Sequence, residues 1–394
     1  MLPVLNFQEK FFLKNISSTD FKETIFNNNI EFVDFLKNNK LEVLMYSLSL
    51  QKKITLPIFL KEKFQNNYII NLQKQLQQLK DTINITEILN KKNIPFIILK
   101  GPILAKKIYN DEGARRASCD VDILIKNVDF LKVNEALEEN GYKNYTKYSS
   151  LDLDYRCFMY YKKNTTPVDI HLKVLSGIMF LDLFLPLNED CWKDFYLESI
   201  WNTTIKYFSN ELLAIYIAML FTKENLKIAR FQYLVDFYFL IKNYREKLNY
   251  YILAKYLNKS KLNFYFLFTL DLLKRYTDLD LPTQFLNEIK LNKIRTKIVY
   301  WGLIRYFKVD YKKNIRFLFY GSKIIAFSGG YLNLILKQIS YIYKVSYLYF
   351  LKDYNLDDGW LSHIKHVNFF IKRLVSSKPR NKTAILYKVN YKSL

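Results

Sequence analysis

The chain has 394 residues, of which 50% are hydrophobic and 25% charged, and its formal net charge is +23. That composition excludes an intrinsically disordered chain, and the length accommodates one large or two to three modest domains with real cores. Three cysteines, Cys119, Cys157 and Cys191, have no Cys-x-x-Cys spacing, which argues against a disulfide scaffold and a structural zinc site.

The first residues, Met1 to Phe7, show no basic leader followed by a sustained apolar stretch, so no signal peptide is expected and the cytoplasm is the expected location. Residues 1–87 read as helical, with apolar spacing near 3.6 in Leu41 to Leu48 and in Phe64 to Leu72. Pro57 marks a helix start or a loop. The glutamine-rich stretch from Gln73 to Leu79 reads as a solvated helix face, with Leu76 and Leu79 on the apolar side.

Residues 88–187 read as a small mixed α/β core. The apolar run Phe96 to Leu99 turns at Lys100, Gly101 and Pro102 into a helical pattern, Ile103, Leu104, Ile108. Arg115 and Arg116 follow, and then Asp120, Val121, Asp122, Ile123, Leu124 and Ile125. In an extended strand, residues two apart share a face, so Asp120 and Asp122 lie side by side. Two carboxylates that close repel, and a divalent cation with oxygen preference, Mg²⁺ or Mn²⁺, is expected between them. Repulsion also predicts that replacing either acid with asparagine leaves the fold intact or more stable.

An amphipathic helix is expected from Asp129 to Leu137, stopping near Asn140 and Gly141. Strands are expected at Tyr155 to Tyr161 and Pro167 to Val174. In the second of these, Asp169 and His171 share one face. If it lies beside the Asp120 strand, three carboxylates converge, as two-metal phosphoryl chemistry requires. Neither a Walker-type phosphate loop nor a Rossmann glycine fingerprint is present.

From Trp192 onward the pattern reads as helical, with near-continuous apolar helices at Glu211 to Leu220 and Ala229 to Leu240. Asp236 is a lone acid in the second, expected to pair with Arg230 or a lysine. Residues 251–394 hold 26 Lys+Arg against 8 Asp+Glu, a balance of +18. An anionic partner, RNA or a membrane surface, is expected there, at a patch including Arg305, Lys308, Lys312, Lys313 and Arg316. The apolar run from Tyr331 to Leu351 is interrupted by Lys337 and Lys344 and falls short of a spanning segment. His363 and His366 share a helix face but lack a third metal ligand nearby. The fold class expected is α+β: a small mixed sheet flanked by largely helical N- and C-terminal regions, 1–87 and 188–394.

The turn at Leu99, Lys100 and Gly101, Arg116 four residues before Asp120, the Asp120 to Ile125 strand and Asp169-Ile170-His171 together resemble the uncharacterised nucleotidyltransferase family of the polymerase-β-like superfamily. The resemblance spans roughly Leu41 to Leu240. It departs at Pro102, where many superfamily members carry a serine, and at Cys119, where a glycine is expected. What it implies is transfer of a nucleoside monophosphate from an NTP, ATP by default, to a hydroxyl acceptor. Asp120, Asp122 and Asp169 are then the metal ligands and catalytic acids, with Asp169 also drawing the acceptor proton. Lys100, Gly101, Arg116 and His171 face the nucleotide, Gly101 by letting the backbone approach the phosphates. The alternative is a catalytically degenerate nucleotide- or RNA-binding protein on the same fold.

Overall fold

A computed structural model of the chain describes residues 5–17, 26, 29–144, 157–175, 187–200, 203–223, 227–308, 316–333, 335–336, 339–340, 343 and 360–375. It divides into two compact units, Met1–Asn292 and Lys293–Leu394.

In the first unit, helices α1 (Phe7–Ser17), α2 (Ile30–Asn38) and α3 (Glu42–Leu50) precede a 34-residue helix, α4 (Ile58–Lys91), which starts directly after Pro57. Strand β1 (Phe96–Ile98), α5 (Pro102–Tyr109), β2 (Val121–Ile125), α6 (Phe130–Glu139), β3 (Lys143–Asn144), β4 (Cys157–Tyr161) and β5 (Val168–His171) follow. A short helix α7 (Asn188–Cys191), strands β6 (Phe195–Ile200) and β7 (Thr203–Phe208), and helices α8 (Asn210–Lys223), α9 (Lys227–Tyr244), α10 (Tyr250–Ser260), α11 (Asn263–Lys274) and α12 (Thr283–Glu288) complete it. The seven strands form one mixed sheet in the order β3-β4-β5-β2-β1-β7-β6. An α+β architecture, with a mixed sheet flanked by helices, is therefore what the chain adopts.

Two expectations change. The stretch after Trp192, read as helical, contains the antiparallel hairpin β6–β7, so the sheet runs on to Phe208, past residue 187. The cause lies in β1. All three of its residues are buried, and its second edge would carry unpaired backbone groups if β7 did not pair with it in parallel at Ile98 and Tyr207. The glutamine stretch of α4 is also not a solvated face. Gln75 and Gln78 are buried, while Leu76 is exposed.

The sheet has one apolar face. Phe96 and Ile98 of β1, Val121, Ile123 and Ile125 of β2, Phe158 and Tyr160 of β4, and Val168 and Ile170 of β5 pack with Leu79, Ile83 and Leu89 of α4 and with Val133 and Leu137 of α6. Because strand side chains alternate, the same register turns Asp122, Asp169 and His171 to the opposite face. Helix α8, buried from Asn210 to Thr222, and α9 bring Tyr216 and Tyr233 close to Lys100 there.

Between α5 and β2 the chain crosses α4 through a single turn at Glu112–Ala114. A Cβ on Gly113 would lie 2.5 Å from Cε2 of Tyr68, so only glycine lets the turn approach α4 this closely. Gly113→Ala is expected to destabilise the chain by about 1–3 kcal/mol, the usual cost of forcing an extra carbon into a packed contact. Urea unfolding measures it, and an unchanged midpoint would mean that Tyr68 swings aside freely.

The second unit contains α13 (Lys293–Lys308), α14 (Arg316–Phe327) and α15 (Trp360–Val375). Of the expected basic patch, Arg305 lies over the Trp301 ring at 5.7 Å, Lys308 ends α13 and Arg316 opens α14. Lys312 and Lys313, like most of the run from Tyr331 to Leu351, lie outside the described residues. His363 and His366 both adjoin Tyr343, and no metal-ligating group includes them among the described residues. Among the described residues no helix is long and apolar enough to cross a membrane.

Candidate active site

Strands β2 and β5 run parallel with Asp122 opposite Asp169 and Leu124 opposite His171. That register, set by the apolar residues on the other face, puts two carboxylates and an imidazole next to one another under α8. One ligand atom from each of Asp122, Asp169 and His171 lies within 4.8 Å of the others, and all three residues are buried. His171 Nε2 is 2.9 Å from Asp122 Oδ1 and 3.3 Å from Asp169 Oδ2. Lys100, at the end of β1, donates from Nζ to the same Asp122 Oδ1 at 2.8 Å. Its side chain is 18% exposed against 2% for Asp122, so it stands at the mouth of the group.

These contacts set the charges. Burial alone would raise the Asp122 pKa, but Lys100 and His171 outweigh it and hold the carboxyl well below the usual carboxylate range. Burial likewise works against the imidazolium, yet Asp169 and Asp122 push the His171 pKa up to about 9. The Lys100 ammonium is disfavoured by burial and more than restored by Asp122, so it stays charged. Asp120 behaves oppositely to its neighbour. It precedes β2, half-buried, and burial together with repulsion from Asp122 raises its pKa from 3.8 to about 6.

Gly101 has φ +92°, in the region that favours glycine, and it caps α5, with Pro102 at the helix start. Arg115 and Arg116 part company. Extended backbone at Arg115 (φ −109°, ψ 138°) sends successive side chains opposite ways. Arg115 is buried, and its Nε donates to Asp236 Oδ2 at 2.8 Å, while Arg116 is half-buried with no ion pair among the described residues. The partner of Asp236 is thus Arg115, not Arg230 or a lysine. Tyr109 and Gln232 donate to its other oxygen at 2.6 and 3.1 Å.

The structure therefore gathers Lys100, Asp122, Asp169 and His171, with Asp120 at the rim. His171, expected at the nucleotide, lies between the acids, because its register opposite Leu124 places it one pleat along from Asp169. The contacts of half-buried Asn71 and buried Gln75 and Gln78 to residues 113–120 were missed. Their spacing of four and three residues was the available signal, since it puts three amides on one helix face.

The group fits a divalent ion. Asp122 Oδ2 and Asp169 Oδ1 are buried with no hydrogen-bond partner among the described residues, and a pair of bare carboxylate oxygens is the donor set of a hard cation. A family model described as an uncharacterised nucleotidyltransferase matches residues 29–278, a span that holds the whole group and stops short of the second unit. No curated protein and no solved structure gives a match. With well over half its length matched, this chain belongs to the uncharacterised nucleotidyltransferase family.

Proposed function

We propose that the chain is a Mg²⁺- or Mn²⁺-dependent nucleotidyltransferase that moves a nucleoside monophosphate from an NTP, ATP by default, to a hydroxyl of an acceptor. The observation that carries this reading is the pairing of Asp122 with Asp169 in adjacent parallel strands, each with a buried oxygen left open. Asp122 and Asp169, with Asp120 at the rim, would hold the metal. When bound, divalent ions supply charge stabilisation at the attacking and leaving oxygens.

The remaining work falls to the chain itself. Lys100, partly open to the outside, and Arg116 bring positive charge to the phosphates, and Arg116 can grip two oxygens at once. Gly101, without a side chain, lets the backbone come close to them. Asp169 offers a buried acceptor for the hydroxyl proton of the incoming group. His171 holds Asp122 and Asp169 together through Nε2. The balance of +18 over residues 251–394 supports an anionic acceptor or partner.

Incubation with each labelled NTP and Mg²⁺ or Mn²⁺ tests the reading by pyrophosphate release or self-labelling. Asp169→Ala is expected to lower kcat by roughly 10²-fold or more with a smaller loss of NTP affinity, since proton transfer belongs to the chemical step. Equal losses of rate and affinity would move Asp169 to ground-state binding. Nucleotide binding with no pyrophosphate release under any condition would favour the catalytically degenerate binding protein.

A further inference from the structure

We propose that Gln78 of α4 is a positioning residue for this reaction, fixing Asp120 relative to the Gly101 turn; the inference rests on the nucleotidyltransferase reading above. From Ala114 to Asp120 the chain makes no ladder with the sheet, and three of its backbone groups, the carbonyls of Arg115 and Asp120 and the N–H of Ala117, are bonded from one stripe of α4. Asn71 Nδ2 donates to the carbonyls of Gly113 at 2.9 Å and Arg115 at 2.8 Å, and its Oδ1 accepts from the Ala117 N–H at 3.0 Å. Gln75 Nε2 donates to the Arg115 carbonyl at 2.8 Å. One helical turn on, Gln78 Nε2 donates to Ser118 Oγ at 2.6 Å and to the Asp120 carbonyl, which also accepts from Ser118 Oγ at 2.9 Å.

Gln78 reaches a second part of the site as well. A Cβ on Gly101 would lie 3.7 Å from its Nε2, so the amide fills the space between the turn after β1 and the residue before β2. The sheet does not set that spacing, because Gly101 and Asp120 lie outside the paired strands. Gln78 is 2% exposed; its Nε2 is hydrogen bonded, while its Oε1 is buried with no partner among the described residues, so keeping an amide here costs free energy. An apolar residue would serve the helix packing equally well. What the glutamine adds is a donor aimed at the backbone of Asp120, next to the carboxylate at the rim of the metal group. Three residues further, Asp81 Oδ2 accepts from the N–H and hydroxyl of Thr166, both at 2.8 Å, and so steadies the approach to β5 and Asp169.

The test is direct Mn²⁺ binding to the full chain, read from free Mn²⁺ by electron paramagnetic resonance, beside kcat and KM. Gln78→Met is expected to weaken Mn²⁺ binding by about tenfold or more, the usual effect of removing a group that orients a ligand. Gln73→Met, exposed on the same helix, should change nothing. In an Asp120→Asn background the Gln78→Met loss should vanish, because the group through which Gln78 acts is gone. Unchanged Mn²⁺ affinity in Gln78→Met overturns the proposal, and so does a loss that persists in full in the Asp120→Asn background. If Gln78→Met does not fold, Ser118→Ala, which removes one of the two donors to the Asp120 carbonyl, takes its place with a smaller loss expected and the same cycle. A wild-type chain that binds no Mn²⁺ would strike the nucleotidyltransferase reading itself, and this inference with it.

Discussion

Asp122→Asn is expected to abolish nucleotidyl transfer, a fall of 10³-fold or more, and to destabilise the metal-free chain by about 3 kcal/mol. The first effect follows from the role proposed for Asp122 in holding the metal. The second reverses what repulsion between the acids suggests from sequence. Asp122 is not a bare member of a repelling pair: Lys100 and His171 both contact its Oδ1 at 2.8 and 2.9 Å, and without it a buried imidazolium faces the partly open Lys100 ammonium. Asp120→Asn should do the opposite. The folded Asp120 binds its proton more tightly than the unfolded one, up to about 6 against 3.8. Wild-type stability in EDTA therefore falls as pH rises from about 4 to 6, and the variant lacks that fall and is the more stable above it. Calorimetry at pH 4 and pH 7.5 separates the two variants, and a stabilised Asp122→Asn would mean that Lys100 and His171 are not its counterions.

The largest effect on stability is expected at Asp236→Ala. Asp236 is fully buried, and the Arg115 side chain that donates to it is 7% exposed, so truncation strands a guanidinium away from water at a cost of about 3–5 kcal/mol. Burial works against the Arg115 charge and Asp236 is the first of the groups that offset it, with Tyr233, whose ring is 5.6 Å away, next. Tyr109 and Gln232 lose an acceptor in the same change. In a unit of this size that corresponds to a drop in Tm of roughly 10 °C. The double variant Arg115→Met, Asp236→Leu should recover most of the loss, because an apolar pair needs no compensation. A double variant as unstable as Asp236→Ala alone would show that the network matters for its shape and not for its charge balance.

The strand, turn and helix around Gly101 and the acids of β2 and β5 were legible because period-two alternation and the Lys100-Gly101-Pro102 break are local signals. Partners were not. Nothing within a few residues of Asp236 points to Arg115, which lies 121 positions earlier. The amides of α4 were misread for a related reason: a glutamine on a wet face and a glutamine buried against a backbone carbonyl are the same letter. Only the position of residues 113–120 in space distinguishes them. The hairpin β6–β7 was hidden because its two strands run directly into the apolar helical pattern from Glu211, and the demand for them arises at β1, a hundred residues away. His171 was placed on the correct face by alternation, but its reach between two acids depends on the β2–β5 register, which the sequence does not state.

The long spans in this fold also bear on the order in which the molecule is completed during synthesis. The strands carrying Asp122 and Asp169 leave the ribosome well before residues 203–208, which close the open edge of β1, and before Asp236, which neutralises Arg115. At about 5–20 residues per second, the interval between Arg115 and Asp236 is on the order of ten seconds. Until residues 203–208 emerge, β1 offers an unpaired edge to any neighbouring strand, and through the whole interval the segment leading to Asp120 has its arginine without a counterion. The face that carries Asp122 and Asp169 is thus written early in the chain and locked late, when α9 docks.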